Sequence, residues 1–130
     1  MKFNKLIPEL TVFDINETKD FYINILGFKL EYERVDQKFV FLSFEDSQFM
    51  FEEIHEEGWN IGELTYPLGR GINFSIEVKD INKLYVEIKS HNITLYRELM
   101  VNNYKAENET IEQKEFLIQD PNGYLLRFTN

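Results

Sequence analysis

The chain of 130 residues contains no cysteine, only three prolines and only two histidines. Without cysteine it can form neither a disulfide, nor a thiolate zinc site, nor a cysteine nucleophile. No apolar run approaches the length that crosses a bilayer, and the N-terminal stretch MKFNKLIPEL is too polar for a secretion signal. We therefore expect a cytoplasmic protein that has no membrane partner.

Basic residues are also few, with 14 Lys and Arg against 23 Asp and Glu, so the net charge is −9. Because a phosphate backbone is bound through basic patches, this balance argues against a nucleic-acid partner. A negative field favours the approach of a cationic ligand, although excess charge also keeps small domains soluble. The hydrophobic content of 43%, with 12 phenylalanines, is enough for one packed domain.

An internal repeat divides the chain. ELTVFDIN (9–16) resembles FSIEVKDIN (74–82), and the matching residues are separated by a constant offset. Asp14 and Asp80 each precede apolar residues at helical spacing, so both are predicted N-caps. Gly27 is predicted to end the first helix, and His91-Asn92 stands at the corresponding place in the second. The two apolar faces do not superpose at one offset, so an adjustment within a helix is expected.

Three segments rich in aromatic and β-branched residues follow each helix, which predicts strands. The glycine-rich stretch 58–71 is the predicted linker, and the polar stretch 101–112 is a predicted loop. The fold class is therefore α+β, with two βαβββ modules (about 6–57 and 70–129) in a single domain, 1–130. Curved mixed sheets would surround a cleft, with the helices on the outer face. The predicted strands are 28–35, 38–44, 48–54, 93–99, 114–119 and 124–129.

The second of these strands is apolar on both faces. Phe39 and Phe41 lie on one side, and Val40 and Leu42 lie on the other. A sheet with one wet face alternates apolar and polar residues, so here the second face must also be covered. The cover is expected to be the other sheet, a ligand or a second copy, which favours an aromatic cleft or a homodimer.

The stretch EEIHEEGW (52–59) admits three interpretations. It could be a metal site around His55, an acidic and aromatic lip that binds a cation against Trp59, or a solvated turn. Adjacent side chains on a strand point to opposite faces, so Glu52 and Glu53 cannot readily share one ion. A flat cation would gain about 0.5–2 kcal/mol from stacking on an indole, which favours the lip.

Two longer stretches, DINETKDFYINILGF (14–28) and DPNGYLLRF (120–128), resemble motifs of the glyoxalase/bleomycin-resistance superfamily, also called the vicinal oxygen chelate fold. IPEL (7–10) and GRGINFSIEV (69–78) resemble its bleomycin-resistance branch in particular. The resemblance covers about residues 6–128. It implies paired βαβββ modules and, in the enzymes of the superfamily, one divalent metal ion held by His and Glu ligands from both modules.

The resemblance places the four metal-ligand positions at Ile7, Asn73, Arg127 and Glu52, or at a neighbour of Glu52. Isoleucine, neutral asparagine and cationic arginine do not suit a catalytic metal. We therefore expect no metal, no cofactor and no catalytic residue, and a pairing of Arg127 with Glu52 is one further expectation. Two alternatives stay open. One is a metal-dependent glyoxalase-, dioxygenase- or thiol-transferase-type enzyme with other ligands, and the other is a structural or regulatory dimer without a ligand.

The bleomycin-resistance branch implies a homodimer that sequesters the drug in clefts at the subunit interface. An aromatic residue after the first turn stacks on the planar rings of the drug, and Phe39 fits this position best, with Phe41 as the alternative. A second stacking tryptophan is missing near Glu112, for which Tyr104 is a candidate substitute. The predicted function is thus antibiotic binding, with a cationic or aromatic, bleomycin-like ligand. The predicted ligand-binding residues are Phe39, Phe41, Glu52, Trp59, Asn73, Tyr104 and Arg127.

Overall fold

The structure is a computed structural model that describes residues 1–130, and it contains two compact units, Met1–Leu68 and Gly69–Asn130. Each unit has one four-stranded mixed sheet and one helical segment in the order βαβββ. The predicted α+β class and the paired modules are therefore confirmed, whereas their union in a single domain stays a prediction. Neither helix is long and apolar enough to cross a membrane.

The first unit has the sheet order β1-β4-β3-β2, in which β1 runs parallel to β4 and the other pairs are antiparallel. A 3₁₀ turn at Val35–Gln37 connects β2 to β3. The elements are β1 (Glu9–Val12), α1 (Ile15–Lys19, continued by a π-helical segment Asp20–Ile25), β2 (Lys29–Arg34), β3 (Phe39–Phe44) and β4 (Ser47–Glu53).

The second unit repeats this topology with the sheet order β5-β8-β7-β6, in which only β5 and β8 are parallel. Its helix α2 packs against β7, with the rings of Tyr85 and Phe116 5.1 Å apart. The elements are β5 (Asn73–Glu77), α2 (Ile81–Ser90), β6 (Leu95–Ala106), β7 (Glu109–Gln119) and β8 (Leu125–Thr129).

Both helices begin at the predicted aspartate caps. Oδ1 of Asp14 accepts hydrogen bonds from the backbone N–H groups of Asn16 and Glu17, at 2.9 and 3.0 Å. Oδ1 of Asp80 accepts one from the N–H of Lys83, at 3.1 Å. An N-cap carboxylate satisfies backbone donors that have no partner within the helix, and this explains why both helices begin there.

The adjustment that the repeat requires lies in the π-helical segment. The helices begin at equivalent positions of the repeat, Ile15 and Ile81, but the C-terminal cap Leu26 comes one position later in its module than His91 does. The N–H of Leu26 donates to the carbonyl of Phe21, in the wide π-helical pattern, at 3.0 Å. The wider turn therefore accommodates the extra residue of the first helix.

The ends of the helices also correspond. Gly27 has a φ of +89° and Asn92 a φ of +58°, so both follow the last helical turn in the left-handed conformation. Glycine and asparagine are the residues that adopt this conformation at least cost. The predicted equivalence of the two helix ends is confirmed.

The prediction of a loop over residues 101–112 is wrong. β6 continues to Ala106 and β7 starts at Glu109, so this stretch is the tip of a long antiparallel hairpin in which Tyr104 pairs with Ile111. None of its side chains is buried. The strands are therefore held by their backbone ladder, and the sequence lacks the alternation that a core would impose.

The core of the first unit surrounds Tyr22, which is fully buried in the π-helical segment. Its ring lies 5.2 Å from that of Phe28 and 4.6 Å from that of Phe51. Phe51 pairs with Val40 across the sheet, so the even-numbered residues of β3 face the helix. The odd-numbered residues of β3 consequently face the other side.

Glu53 joins the end of β4 to the start of α1. Its Oε1 accepts from the backbone N–H of Ile15 at 3.0 Å, and its Oε2 accepts from Nζ of Lys38 at 2.8 Å. The hydrogen bond from Lys38, followed by that from Ile15, lowers the pKa of Glu53 below its ordinary value of 4.5. A carboxyl group with a lowered pKa stabilises the fold above its ordinary pKa, and this contribution disappears as the pH falls through the lowered value.

We therefore predict that Glu53→Gln lowers the free energy of unfolding by about 1 kcal/mol near neutral pH, because the charge-assisted bonds are weakened. The difference from the wild type should shrink in acid, as the pH falls through the lowered pKa of Glu53 and this residue becomes protonated. Urea unfolding at neutral and at acidic pH measures the effect. The control Glu63→Gln removes an exposed carboxylate, and an equal loss in that variant would contradict the prediction.

Candidate ligand-binding site

The first sheet has a second face, opposite α1, that carries three of the seven predicted ligand-binding residues. On this face Phe39 pairs with Glu52 and Phe41 pairs with Met50. Thr11 of β1 lies beside Glu52, and Arg34 of β2 lies beside Phe39. Because facing residues in a register share one side of the sheet, these strands build one continuous surface. We call it the open face; it consists of Glu9, Thr11, Tyr32, Arg34, Phe39, Phe41, Met50 and Glu52.

One end of the open face borders a pocket of about 370 Å³. This volume is within the usual range for small-molecule sites. The predicted residues Glu52 and Trp59 both line it. Its titratable groups are four carboxyls, one guanidinium and one imidazole, so we call it the acidic pocket. The full lining is Glu9, Thr11, Arg34, Glu52, Glu53, His55, Glu57, Gly58 and Trp59.

Within the pocket, Glu52 forms a short hydrogen bond with Nε2 of His55. Glu53, the next residue, is bound to Ile15 and Lys38 on the helix side. The expectation that adjacent glutamates point to opposite faces is therefore confirmed. Glu52 alone brings a carboxylate from β4 to the open face.

The carboxyl groups of Glu9 and Glu52 are close enough for their negative charges to repel each other. Partial burial, and after it the neighbouring Glu52 carboxylate, raise the pKa of Glu9, while Arg34 acts in the opposite direction. A raised carboxyl pKa means that the local surroundings disfavour a further negative charge. A bound cation would relieve this repulsion.

Phe39 does not present a free ring, because it is only 2% exposed. The guanidinium carbon of Arg34 lies 3.8 Å from the centroid of its ring, which is a close cation–π contact. Nε of Arg34 donates to Oε1 of Gln37 at 2.5 Å, and Nη1 donates to the hydroxyl of Tyr32 at 3.0 Å. The predicted stacking residue therefore already carries a flat cation that belongs to the chain.

Phe41 is covered in a similar way. It is fully buried, and the ring of Phe3 lies parallel to it, with the centroids 5.0 Å and the planes 14° apart. Tyr32 approaches Phe41 edge-on, with a centroid distance of 5.8 Å. Both predicted stacking rings therefore have occupants from the same unit.

Trp59 lies at the rim of the acidic pocket with 98% of its surface exposed. His55 shapes the turn before it. Its carbonyl accepts from the N–H of Gly58 at 3.1 Å, and its Nδ1 accepts from the N–H of Glu57 at 3.3 Å. The glutamates of this turn diverge, because Glu57 lines the acidic pocket, whereas Glu56 lines a different surface hollow.

In the second unit, the predicted residues Asn73 and Arg127 are direct neighbours. Nε of Arg127 donates to Oδ1 of Asn73 at 3.1 Å, and Nη1 donates to Oε2 of Glu115 at 3.4 Å. Glu115 lies diagonally across the β7–β8 ladder from Arg127, a position that long side chains reach. The expected pairing of Arg127 with Glu52 would join the two units and stays a prediction; within its own unit, Arg127 is bound to Asn73 and Glu115, and Glu52 is bound to His55.

Sheet register also changes the assignment of the fourth metal position. Ser75 pairs with Arg127, and Glu9, the counterpart of Ser75 in the repeat, pairs with Met50. The equivalent of Arg127 in the first module is therefore Met50 and not Glu52. Isoleucine, methionine, asparagine and arginine thus stand at the four positions, and this donor set does not fit a divalent metal ion. No group of three or more His, Asp or Glu side chains is arranged so that it could hold one.

Tyr104 is half-exposed on the β6–β7 hairpin of the second unit, and its role in binding stays a prediction. Sequence reasoning missed Glu9, Arg34 and Phe3. Arg34 could have been found from the alternation of β2, since a residue beside Phe39 across a hairpin shares its face. No sequence pattern indicated Phe3, because its contact with Phe41 bridges distant positions outside any repeat.

Comparison with known proteins agrees with this geometry. The model of the glyoxalase/bleomycin resistance protein/dioxygenase superfamily matches residues 4–128. The chain belongs to this superfamily. It is 27% identical to a bleomycin resistance protein of Geobacillus stearothermophilus, over 94% of this chain and 92% of the relative. Bleomycin resistance protein of Staphylococcus aureus (strain MRSA252) matches to the same extent.

Solved structures extend the comparison. A glyoxalase/bleomycin resistance protein/dioxygenase from Alicyclobacillus acidocaldarius is 25% identical with a TM-score of 0.68, and the match covers 97% of this chain and 89% of that one. TioX from Micromonospora sp. ML1 has a TM-score of 0.77 over 98% of both chains, but it is only 14% identical. This second likeness concerns the fold alone.

The side chains at the four metal positions lead to a prediction about metal content. The purified protein should contain well under one equivalent of zinc, iron, manganese or nickel, as measured by elemental analysis. EDTA should leave the melting temperature unchanged, because no ion bound to the native state is removed. A stoichiometric transition metal, together with a loss of stability on chelation, would contradict the assignment of these positions.

Proposed function

We propose that this protein binds a small compound that combines a planar aromatic group with positive charge, and that it sequesters the compound without making or breaking a bond. The acidic pocket carries this proposal, because Glu9, Glu52 and Glu57 surround a space of ligand size with Trp59 at its rim. Bleomycin-like antibiotics are the first candidate class, since the curated relatives are bleomycin resistance proteins.

The electrostatics of the pocket support a cationic ligand. Four carboxyl groups line the pocket beside the single guanidinium of Arg34, and partial burial, followed by the Glu52 carboxylate, raises the pKa of Glu9. The net charge of −9 extends this field and favours the approach of cations. An anionic ligand would meet repulsion both at a distance and in contact.

The aromatic groups support a planar ligand. The guanidinium carbon of Arg34 lies over the ring of Phe39, 3.8 Å from its centroid, so this ring already accepts a planar cation on its face. Trp59 adds an exposed indole at the mouth of the pocket. A stacked cation would gain about 0.5–2 kcal/mol there, depending on how far it is desolvated.

Sequestration is favoured over catalysis by the side chains that the site offers. The positions at which the superfamily's enzymes hold a metal carry Ile7, Met50, Asn73 and Arg127. His55, the one histidine in the pocket, is bonded to Glu52 and no serine or cysteine lines the pocket beside it. A stoichiometric binder needs only the charge and the stacking surfaces.

A matched pair of variants tests the pocket. Bleomycin should change the fluorescence of Trp59, because this is the only tryptophan and lies at the rim. Glu57→Gln should weaken binding about three- to tenfold and reduce its dependence on salt, because it removes one carboxylate from the pocket. Glu56→Gln removes an equal charge from the neighbouring position, outside the pocket, and should have a much smaller effect.

Fluorescence titrations at low and at physiological ionic strength measure both effects. If bleomycin and a planar polyamine both leave the emission of Trp59 unchanged at large excess, the acidic pocket is not the binding site. If the two variants weaken binding equally, the ligand responds to the overall negative charge of the protein and not to the carboxylates of the acidic pocket.

We also propose that the protein forms a homodimer. Several apolar side chains of the first unit are almost fully exposed, among them Leu6 at 86% and Ile61 at 101%. Such exposure is typical of a surface that another chain covers. A stable dimer should bury more than about 1,000 Å² in total.

Light scattering at micromolar concentration should therefore give twice the mass of the chain. Ile61→Lys should shift the equilibrium towards the monomer, because a charge would be placed in an apolar interface. A wild-type protein that is monomeric at this concentration would contradict the dimer proposal.

A further inference from the structure

A short segment before β1, consisting of Lys2, Phe3 and Asn4, is tied to the β3–β4 hairpin. The side-chain amide of Gln48 bonds to it twice, since Oε1 accepts from the N–H of Asn4 at 2.7 Å and Nε2 donates to the carbonyl of Lys2 at 2.8 Å. Nδ2 of Asn4 also donates to the carbonyl of Asp46, at 2.7 Å. We call these three residues the strap.

The strap positions one aromatic ring. The two bonds to Gln48 lie on either side of Phe3, so they fix the backbone from which its ring projects onto Phe41. Phe3 keeps 51% of its surface exposed, whereas Phe41 is fully buried. Phe3 is thus a cover on the open face and not a member of the core.

The covers of Phe41 and Phe39 differ in chemistry. Phe39 carries the guanidinium of Arg34, and Phe41 carries the phenyl ring of Phe3 in a parallel stack. The two covered rings stand at alternate positions of β3, on the same side, and therefore roughly 7 Å apart. A cation beside an aromatic plane is the combination that the proposed ligand would bring to this face.

We propose that Phe3 is a built-in competitor that occupies the subsite for the planar group of the ligand on Phe41. The inference rests on the proposed function and adds to it a competitor from the chain itself, stacked on the candidate ring Phe41. Binding displaces the strap, and the freed face of Phe41 receives the planar group of the ligand.

The bonds of the strap permit such a displacement. They involve exposed or part-buried groups, which water can satisfy when the strap opens, so the net cost of breaking each bond is small. A ligand that binds only the open state has its apparent affinity reduced by the fraction of molecules that are open. Weakening the strap should therefore tighten binding.

Two variants open the subsite by different routes. Phe3→Ala removes the competing ring, and Gln48→Ala releases the strap while leaving the ring in place. Both should bind bleomycin about three- to tenfold more tightly than the wild type, as measured by the fluorescence of Trp59. Phe3→Tyr keeps a ring that can stack and should bind like the wild type. Melting temperatures verify that each variant is folded. If Gln48→Ala does not fold, the comparison of Phe3→Ala with the wild type is the test.

A label at position 3 observes the strap directly. With 4-fluorophenylalanine in place of Phe3, saturating bleomycin should move the fluorine resonance towards its position in a labelled Gln48→Ala protein without ligand. The resonance shifts because the ring leaves its stack on Phe41 and enters different surroundings. The shift therefore reports the displacement itself and does not depend on the affinity of the ligand.

The outcomes separate this inference from the proposed function. If the wild type binds bleomycin and Phe3→Ala binds equally or more weakly, the competitor role is overturned while the binding function stands. The same holds if binding leaves the fluorine resonance unmoved. If neither protein binds bleomycin or a planar polyamine, the proposed function fails and the competitor role fails with it.

Discussion

The burial of both faces of β3 is the constraint on which the first unit depends. Val40 and Leu42 pack on the helix side around Tyr22, and Phe39 and Phe41 project to the opposite side. All four side chains are at most 2% exposed. A strand of this kind holds the core on one face, and it requires a second layer of side chains on the other.

The cover that the unit provides from its own residues relates the fold to the proposed function. The guanidinium of Arg34 covers Phe39, and the ring of Phe3 covers Phe41, so the apolar rings of the open face are shielded by residues of the same unit. Both covers come from flexible side chains or from a short segment, not from core elements. The open face is therefore covered by the chain itself, and the covers resemble the proposed ligand because the rings beneath them favour those two chemical groups.

Most of the fold could be predicted from local patterns, because caps, turns and strand alternation act over few residues. Asp14 and Asp80 indicated both helix starts, whereas the family resemblance, and not a local pattern, assigned Asn73 and Arg127 to one site. Contacts that depend on the register of distant strands were not accessible in this way. They include Phe3 on Phe41 and Arg127 with Glu115, and the hairpin tip of β6–β7 lacked any alternation to reveal it. The sequence predicted the acidic lip as one continuous stretch, 52–59. Only the structure shows that Glu57 lines the acidic pocket, whereas Glu56 lines a different surface hollow.

The two modules place different side chains at the positions that the family resemblance assigns to metal ligands. Met50 and Arg127 occupy equivalent register positions beside the first strand of each module. In the second module Arg127 brings a fixed positive charge, and Glu115 and Asn73 satisfy it by an ion pair and a hydrogen bond. In the first module Met50 brings no charge, and the carboxylates of Glu9 and Glu52 nearby have only Arg34 and His55 to offset them. Negative charge therefore remains beside Met50 in the first module, and the proposed cationic ligand would be attracted there for the same electrostatic reason that a metal ion is held by the enzymes of the superfamily.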